Sequence, residues 1–347
     1  MESKKVPVVS AVIPCLNEEK YIGDCIASVV ESDFPKDSLE IFVVDGLSSD
    51  SSRDVINKYC EGYDNVILID NPKKILAAAW NLGIKHARGD IIIAMNAHAK
   101  IEPDYIKSCL KYLDEYEADC VGPVIVTHPQ DETLIGKTIA TAMSHPFGVG
   151  NSKFRTGVKK PTWVDTVHLC AYKKEVFDKV GVYNEELIRS QDIELHMRLK
   201  RAGGKILLAP GITIHYYTRT NPKGFIRYGF INGYWVTRPY CFGAFMAGLR
   251  HLVPLFFVLS ILLLCIGSFW IAELEFLAIF ILILYGLAAF AAAIHAAITQ
   301  KRAIYIVLLP FIFASYHITY GFGALYGMVK AIFSKRFWLG VYSTYIK

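Results

Sequence analysis

The chain lacks the features that mark secreted, zinc-ribbon and nucleic-acid-binding proteins. None of its eight cysteines belongs to a C-x-x-C pair, and most lie in apolar surroundings. We therefore expect reduced thiols in a cytoplasmic domain rather than a disulfide framework or a zinc site. The first residues, MESKKVP, contain no apolar signal-peptide core, which favours the same location. The net charge of +5 comes without a basic stripe interleaved with aromatic residues, so no nucleic-acid partner is expected.

Two phosphate-binding motifs are also absent. Neither G-x-G-x-x-G nor G-x-x-x-x-G-K-[ST] follows the first predicted strand, Val8–Ile13. Dinucleotide-binding and P-loop enzymes are thereby excluded. Acidic residues are scarce near the end of the chain, where only Glu273 and Glu275 follow residue 241, against seven lysines and arginines. Such an excess of positive charge beside apolar segments suits a membrane with anionic headgroups.

Long apolar segments are present, and they are confined to the last third of the chain. The mean hydropathy is +0.32, and 53% of the residues are hydrophobic. The segments Leu252–Ala272, Leu274–Ile298 and Ala303–Val329 are each long enough to cross a bilayer, which takes about 20 residues. We therefore predict a soluble domain, large enough to be an enzyme, followed by a membrane region.

Charges in the two short loops of this region predict its orientation. Glutamates occupy the first loop, whereas Lys301 and Arg302 occupy the second. The positive-inside rule then places the N-terminal domain on the cytoplasmic face of the cell membrane. Pro310 and the glycines of Gly321–Gly327 would permit a re-entrant hairpin in the third segment. Two or three spans are predicted, and the side of the C-terminal tail stays open.

Before residue 220 the pattern is a strand followed by a helix, repeated. Short β-branched runs near residues 8–13, 40–45, 66–69 and 91–95 alternate with helical periodicity. Polar residues follow or end each of these runs: Asn17 and Glu18, then Asp45, then Asn71, then Asn96 and His98. This order predicts an α/β, Rossmann-like domain with a mostly parallel sheet and flanking helices. Ligands of such sheets bind beyond the carboxyl ends of the strands, where these polar residues would meet.

The second half of this domain is less regular. Val164–Tyr172 reads as a strand containing Asp165 and His168, and Ser144–Lys160 as a flexible surface loop, a candidate lid. A helix begins near Ser190, with Asp192 on the same face as Leu195. Asp192 is either a helix-dipole partner worth about 0.3–1 kcal/mol or a base in a cleft.

Two further features have open alternatives. His215 lies near the end of the predicted strand Ile212–Tyr217 and is either a metal ligand or a structural histidine. The aromatic stretch Phe225–Leu252 carries Arg227 and Arg238. It is either an amphipathic helix in the membrane interface or a segment that packs against the first domain.

The ordered set of motifs resembles the family 2 glycosyltransferases, which have the GT-A fold. The matching segments are Pro14-Cys15-Leu16-Asn17-Glu18, Val44-Asp45-Gly46-Leu47-Ser48-Ser49-Asp50, Asn81-Leu82-Gly83-Ile84, Gly89-Asp90 and Gln191-Asp192. They span about residues 6–220. Three shorter segments and the membrane region are similar to the succinoglycan-type exopolysaccharide glucosyltransferases: Asn96-Ala97-His98-Ala99, Gly148-Val149-Gly150 and Val164-Asp165-Thr166-Val167.

The resemblance implies a nucleotide-sugar donor, with UDP as the expected nucleotide. It implies these donor-site residues: Pro14, Asn17, Glu18, Asp45, Lys74, Asn81, Asn96 and Ala97. Asp165 and Gln191 would contact the donor or acceptor sugar, and Asp192 would be the general base of an inverting transfer. Arg227 and Arg238 would bind a lipid headgroup.

The chain departs from the family at its metal motif. The usual D-x-D is Asn96-Ala97-His98, so both carboxylates are missing. His98, with His215 as a second candidate, would be the metal ligand. Because imidazole is a poor ligand for Mg²⁺, we expect Mn²⁺ rather than Mg²⁺.

These expectations combine into one organisation and one leading function. Residues 1–221 would form the cytoplasmic GT-A domain, 222–251 the interface helix region, 252–329 the membrane segments and 330–347 a tail. The enzyme would move a sugar to a polyprenyl-diphosphate-linked glycan in exopolysaccharide or cell-surface glycan biosynthesis, alongside other proteins of that assembly pathway. The alternatives are a polyprenyl-phosphate glycosyltransferase, a processive synthase and a catalytically silent scaffold.

Overall fold

The computed structural model describes residues 8–218, 220–242, 251–335 and 338. The strands are β1 (Val9–Cys15), β2 (Leu39–Asp45), β3 (Val66–Asp70), β4 (Ile91–Ala94), β5 (Ala99–Ile101), β6 (Cys120–Pro129), β7 (Thr162–Trp163), β8 (Ala171–Lys173) and β9 (Ile206–Thr218). The helices are α1 (Ile22–Val30), α2 (Ser52–Gly62), α3 (Leu76–His86), α4 (Tyr105–Glu115), α5 (Leu134–Ala142), α6 (Pro146–Val149), α7 (Lys153–Thr156), α8 (Glu175–Val180), α9 (Gln191–Arg201), α10 (Pro222–Val236), α11 (Val253–Gly267), α12 (Glu273–Thr299) and α13 (Tyr305–Ile332). Short 3-10 turns occupy Lys36–Ser38 and Arg238–Phe242.

The first half of the sheet is parallel, as predicted. Strand β1 lies between β2 and β4, and β3 extends the sheet beyond β2. Strands β1, β2 and β4 are fully buried and rich in Val and Ile, because helices cover both faces of the sheet. The register aligns Cys15 with Asp45 and Asp45 with Asp70, so the polar carboxyl ends lie side by side.

The second half of the sheet is antiparallel. Strand β8 pairs antiparallel with β4 and β6, and β9 pairs antiparallel with β5 and β7. The complete order is β3-β2-β1-β4-β8-β6-β9-β5, with β7 added at β9. The sheet is therefore mixed rather than mostly parallel. His168 lies in an irregular connection before β8 and not in the strand predicted for Val164–Tyr172.

The chain forms two compact units. The first contains the residues up to Val126 together with Gly157–Tyr216, and the second contains Thr127–Thr156 and the chain from Tyr217 onward. The second unit is thus discontinuous in sequence, unlike the linear division expected at residue 221. The predicted loop Ser144–Lys160 contains the short helices α6 and α7.

In the second unit, helix α10 packs closely against α13 at glycines. A Cβ atom on Gly233 would lie 1.9 Å from the carbonyl oxygen of Tyr320, and one on Gly323 would lie 2.0 Å from that of Phe230. Only glycine allows two helix backbones to approach this closely. Helix α10 therefore has one face committed to a neighbouring helix within this unit.

Within the described residues, two helices, α12 and α13, are long and apolar enough to cross a membrane. Most of their apolar surface is exposed, including Phe276, Leu287 and Phe311. Helix α13 is continuous through Pro310, so the third segment does not form a re-entrant hairpin. Helix α11 has 15 residues, fewer than a simple crossing needs. Residues 243–250 of the interface helix region and most of the 330–347 tail lie outside the described residues.

Candidate functional site

The loops after β1 and β2 are joined by hydrogen bonds. The backbone N–H of Asn17 donates to the Ser48 hydroxyl at 2.9 Å, and the Asn17 side-chain oxygen accepts from the Ser49 N–H at 2.8 Å. The N–H of Glu18 donates to the Ser52 hydroxyl at 2.8 Å. Asn17 has a φ of 55°, a left-handed conformation that asparagine tolerates better than most residues. The two loops form one preorganised rim at the carboxyl ends of the strands.

Asp45 organises this rim from below. Its side chain is fully buried at the end of β2 and accepts from the Ser48 N–H at 3.0 Å and from Arg53 Nη1 at 2.7 Å. Arg53 Nη1 also donates to Asp70 Oδ1 at 2.8 Å. A buried carboxylate needs such partners to offset its lost hydration. Asp45 therefore holds Ser48 and Arg53 in place, and the exposed surface above it belongs to those residues.

A second cluster joins the end of β4 to the start of α9. His168 Nδ1 lies 3.1 Å from Asp192 Oδ2, and His168 Nε2 makes a long 3.4 Å contact with the Asn96 amide nitrogen. The amide nitrogen can only donate, so His168 accepts at Nε2 and donates from Nδ1. His168 therefore presents an N–H to the Asp192 carboxylate, with Asn96 fixing its tautomer.

Asp192 lies in the first turn of α9, and its side chain is 21% exposed. Its Oδ1 accepts from the Ile193 N–H at 2.9 Å. Burial alone would raise the pKa of the Asp192 carboxyl, but the hydrogen bond from His168 and the imidazoles of His168 and His196 lower the pKa below its usual value. Asp192 is thus an ionised carboxylate at neutral pH that solvent can still reach.

His98 and Glu18 form a third pair beside these clusters. His98 Nδ1 lies 3.2 Å from Glu18 Oε1, and the His98 ring packs edge-on against Tyr216 at 5.1 Å between centroids. Both side chains are about one-quarter exposed. A carboxylate and an imidazole in contact are a usable pair of ligands for a divalent transition-metal ion.

Gln191 adds an unsatisfied polar atom at the start of α9. The residue is 4% exposed, and its side-chain oxygen is buried without a hydrogen-bond partner among the described residues. Unsatisfied buried acceptors are rare in folded proteins and call for an explanation such as an absent ligand or water. The sugar contact of Gln191, next to Asp192, stays a prediction.

Several predicted residues occupy other positions. Asn81 donates to the Tyr183 carbonyl and accepts from the Tyr183 N–H, both at 2.9 Å, so its amide clamps that loop. Asp165 is more than half exposed and forms an ion pair with Lys200. Lys74 is exposed in the turn after β3, with a φ of 55°.

His215 does not join His98. Its Nε2 lies 2.6 Å from Glu102 Oε1, whereas its neighbour Tyr216 contacts His98. Successive residues of a strand face opposite sides of the sheet, so His215 points away from the His98 side. The metal set predicted from sequence is therefore divided, with Glu18 rather than His215 beside His98.

The remaining predictions concern backbone positions and the second unit. Pro14 in β1 and Ala97 after β4 are buried, so they would shape the site without side-chain chemistry. Arg227 is exposed on α10, and the Arg238 guanidinium lies 5.9 Å from the centre of the Tyr234 ring. Their headgroup contacts stay predictions.

Sequence reasoning missed His168 as a site residue. The residue was visible within Val164–Tyr172, but strand alternation could not place a side chain in an irregular connection. Its contact with Asp192 joins residues 24 apart, and its contact with Asn96 joins residues 72 apart. The useful signal was chemical, since histidine is the residue most often used in proton transfer.

Comparison with known proteins gives consistent matches. The model of glycosyl transferase family 2 matches residues 10–181. The dolichyl N-acetyl-alpha-D-glucosaminyl phosphate 3-beta-D-2,3-diacetamido-2,3-dideoxy-beta-D-glucuronosyltransferase of Methanococcus voltae is 28% identical over 332 residues, which cover 93% of this chain and 97% of that protein. Succinoglycan biosynthesis protein ExoA of Rhizobium meliloti is 30% identical over 248 residues, which cover 70% of this chain and 73% of that protein.

A solved structure confirms the fold. The mannosyltransferase PcManGT from Pyrobaculum calidifontis, in complex with GDP-Man and Mn²⁺, superposes with a TM-score of 0.61 at 18% identity. The match covers 96% of this chain and 89% of that chain. The mixed sheet with flanking helices is therefore the GT-A fold expected from the sequence.

Proposed function

Since this chain belongs to the family 2 glycosyltransferases, we propose that it transfers a sugar from a nucleotide sugar to a lipid-linked glycan with inversion at the anomeric carbon. The observation that carries the proposal is the Asp192 carboxylate, ionised, partly exposed and held by His168 beside Asn96. The intact base argues for catalysis over the silent scaffold.

Asp192 is the general base in this proposal. An acceptor hydroxyl hydrogen-bonded to the free face of the carboxylate loses its proton to Asp192 as its oxygen attacks the anomeric carbon. The sugar–diphosphate bond breaks on the opposite side, which inverts the configuration. The N–H of His168 keeps the carboxylate oriented toward the acceptor.

The rim of loops binds the nucleotide. Asn17 and the Ser48–Ser49 segment lie at its exposed edge, while Asp45 and Arg53 fix the segment from beneath. Because Asp45 is fully buried, we assign its effect on donor binding to this positioning. Gln191, next to Asp192 in α9, would face the reacting sugar.

The donor set also fits a divalent cation. Glu18 and His98 would hold it, and the pairing of carboxylate with imidazole favours Mn²⁺ over Mg²⁺. When bound, the cation supplies positive charge to the leaving diphosphate.

The acceptor is a sugar hydroxyl on a lipid-linked glycan. A lipid phosphate acceptor is already an anion and needs no base, so the retained Asp192 favours a hydroxyl acceptor. The Methanococcus voltae relative is named for a dolichyl phosphate-linked sugar, and ExoA for succinoglycan. Helices α12 and α13 would place the enzyme at the membrane that holds such acceptors, with the first unit on the cytoplasmic face.

Turnover in nanodiscs tests the proposal. Wild type is assayed with UDP- and GDP-sugars in Mn²⁺ or EDTA. The acceptors are polyprenyl phosphate itself and sugars linked to polyprenyl phosphate or to polyprenyl diphosphate. Asp192→Asn should lower kcat by about 10²- to 10⁴-fold while nucleotide affinity stays within error. Asp178→Asn, a similar change at an exposed site on α8, is the control. Comparable turnover by Asp192→Asn and wild type would exclude Asp192 as the base.

The acceptor panel separates the remaining alternatives. Transfer onto polyprenyl phosphate itself, with no dependence on Asp192, would establish the polyprenyl-phosphate transferase. Long polymers from a single acceptor would establish a processive synthase. Nucleotide binding without transfer under any condition would make the catalytically silent scaffold the leading interpretation.

A further inference from the structure

Two cysteines and a histidine converge inside the first unit, away from any C-x-x-C spacing. Cys120 on β6 pairs in register with Tyr172 on β8, and Cys170 lies two residues before Tyr172. Residues directly opposite or two apart in a sheet face the same side, so these three side chains share one face. Helix α9 lies over that face and places His196 among them.

The ligand atoms of this buried thiol–imidazole cluster lie close together. His196 Nε2 is 3.8 Å from the sulfur of Cys120 and 3.8 Å from that of Cys170. The two sulfurs and Nε2 all lie within 4.8 Å of one another. The Tyr172 hydroxyl oxygen is 2.8 Å from the same nitrogen. All four residues are buried.

Thr166 determines which nitrogen of His196 faces the sulfurs. Its hydroxyl lies 3.0 Å from His196 Nδ1 and donates its own hydrogen to the Val167 carbonyl. With the hydroxyl oxygen accepting from Nδ1–H, the lone pair of Nε2 faces the two sulfurs and the Tyr172 hydroxyl. Metal-binding histidines characteristically have their second nitrogen held by such a hydrogen bond.

The two sulfur–nitrogen distances match a tetrahedral zinc site. Zinc binds thiolate sulfur at about 2.3 Å and imidazole nitrogen at about 2.0–2.1 Å, so sulfur and nitrogen ligands of one ion lie about 3.6 Å apart. The observed 3.8 Å separations need almost no adjustment. Two thiolates also neutralise the charge of Zn²⁺, as burial of an ion requires.

We propose that Cys120, Cys170 and His196 bind a structural zinc ion, with the Tyr172 oxygen in the fourth position. Binding releases the two thiol protons to solvent, and the Tyr172 hydroxyl turns from His196 Nε2 toward the metal. Without the ion, Tyr172 donates to Nε2 and the cluster is an ordinary core network. The proposal reverses the expectation from spacing, because the two cysteines are 50 residues apart in the sequence.

Two consequences follow from the position of this cluster. Because its residues are fully buried, the ion must enter during folding and will resist chelators afterwards. His196 lies one turn after Asp192 on α9, and residues four apart share a helix face. The ion would therefore anchor the helix that carries Asp192, on the interior side of that residue.

Metal content is the first test, and it does not depend on the proposed reaction. The full chain is expressed with Zn²⁺, purified in detergent, washed with EDTA and analysed by elemental mass spectrometry. Roughly one zinc per chain is expected for wild type and for His98→Ala. Cys170→Ser should lose most of it, whereas Cys109→Ser, at another buried cysteine of the same domain, should retain it.

Cobalt provides a second readout that does not require a variant to fold. Wild type unfolded with chelator and refolded with Co²⁺ should show thiolate-to-cobalt charge transfer and the intense visible bands of a tetrahedral site. Folding is monitored by circular dichroism and nucleotide binding. Refolded wild type without these bands, together with zinc-free native protein, would overturn the proposal. So would zinc that survives in Cys170→Ser, or a Cys120–Cys170 disulfide in the native protein.

Discussion

The two halves of the sheet contribute differently to the site. In the parallel half, polar groups bond to one another: Asn17 to Ser49, and Asp45 to Ser48 and Arg53. On helix α9, beside the antiparallel half, Asp192 is a partly exposed carboxylate. The side-chain oxygen of Gln191 has no hydrogen-bond partner within the described part of the chain. In the proposed function the rim of loops binds the donor and Asp192 takes the proton. The contact of Asn96 with His168 joins the two.

Removing His168 should produce the largest effect after loss of Asp192 itself. We expect His168→Ala to lower kcat by about 10- to 100-fold, the value of a hydrogen bond to a charged group. His168 lowers the pKa of Asp192, so its removal raises that pKa. Asp192 is then already protonated at a higher pH, so the acidic limb of the kcat–pH profile should shift to higher pH. The profile is measured by product formation.

The conservative change His168→Gln sharpens this prediction. Glutamine can still donate a hydrogen bond, so part of kcat and part of the pH shift should be recovered. An unchanged acidic limb in His168→Ala would show that His168 only supports the local fold.

A smaller effect is expected at His98, where the two halves meet. His98→Ala should raise the Mn²⁺ concentration needed for half-maximal donor binding by about 10-fold, because one ligand of the Glu18–His98 pair is lost. The measurement is a nucleotide-sugar titration at varied Mn²⁺. His215→Ala, a histidine on the other side of the strand, is the matched control. An equal effect of both substitutions would contradict the division of the two histidines.

In the rim formed by the loops after β1 and β2, Arg53→Met should affect stability and donor affinity rather than the chemical step. It removes the guanidinium from the buried Asp45 carboxylate, which keeps its bonds to Ser48. We expect a loss of about 1–3 kcal/mol, seen as a lower Tm, and a higher donor KM with little change in kcat. A fall in kcat at saturating donor would contradict the assignment of Arg53 to donor binding alone.

The smallest effect is expected at Asp165. Its ion pair with Lys200 is largely exposed, and such pairs contribute about 0–1 kcal/mol. Asp165→Asn should leave kcat, KM and Tm close to wild type. A large rise in the acceptor KM would instead support the contact between Asp165 and a sugar that the sequence predicted.

The parallel half could be predicted because its signals are local. Each βα unit joins neighbouring segments, so a β-branched run followed by Asn17 or Asp45 identified both the strand and its polar end. The antiparallel half depends on pairings such as β5 with β9, between residues more than 100 positions apart. Periodicity carries no information about such pairings, which is why the sheet was expected to be mostly parallel.

The site shows the same limit. Asp192 could be proposed as the base because it lies at a helix start with a recognisable pattern. His168, which contacts it, could not be proposed, because it reaches Asp192 from an irregular segment. Similarly, Asn81 fits the family motif, yet its amide is committed to Tyr183 on a distant loop. Residue type indicated the chemistry, while tertiary contacts decided which groups remain available.

The discontinuous second unit has a practical consequence for dissecting this enzyme. Helix α5 belongs to that unit, where Ile139 and Met143 are buried with Phe225 and Ala142 with Phe313. A polypeptide ending at residue 221 would keep α5 but lose its apolar partners, so buried hydrophobic side chains of α5 would become exposed to solvent. A water-soluble version therefore cannot be obtained by trimming the C-terminus alone. It would also require the 127–156 insertion to be excised and its ends rejoined.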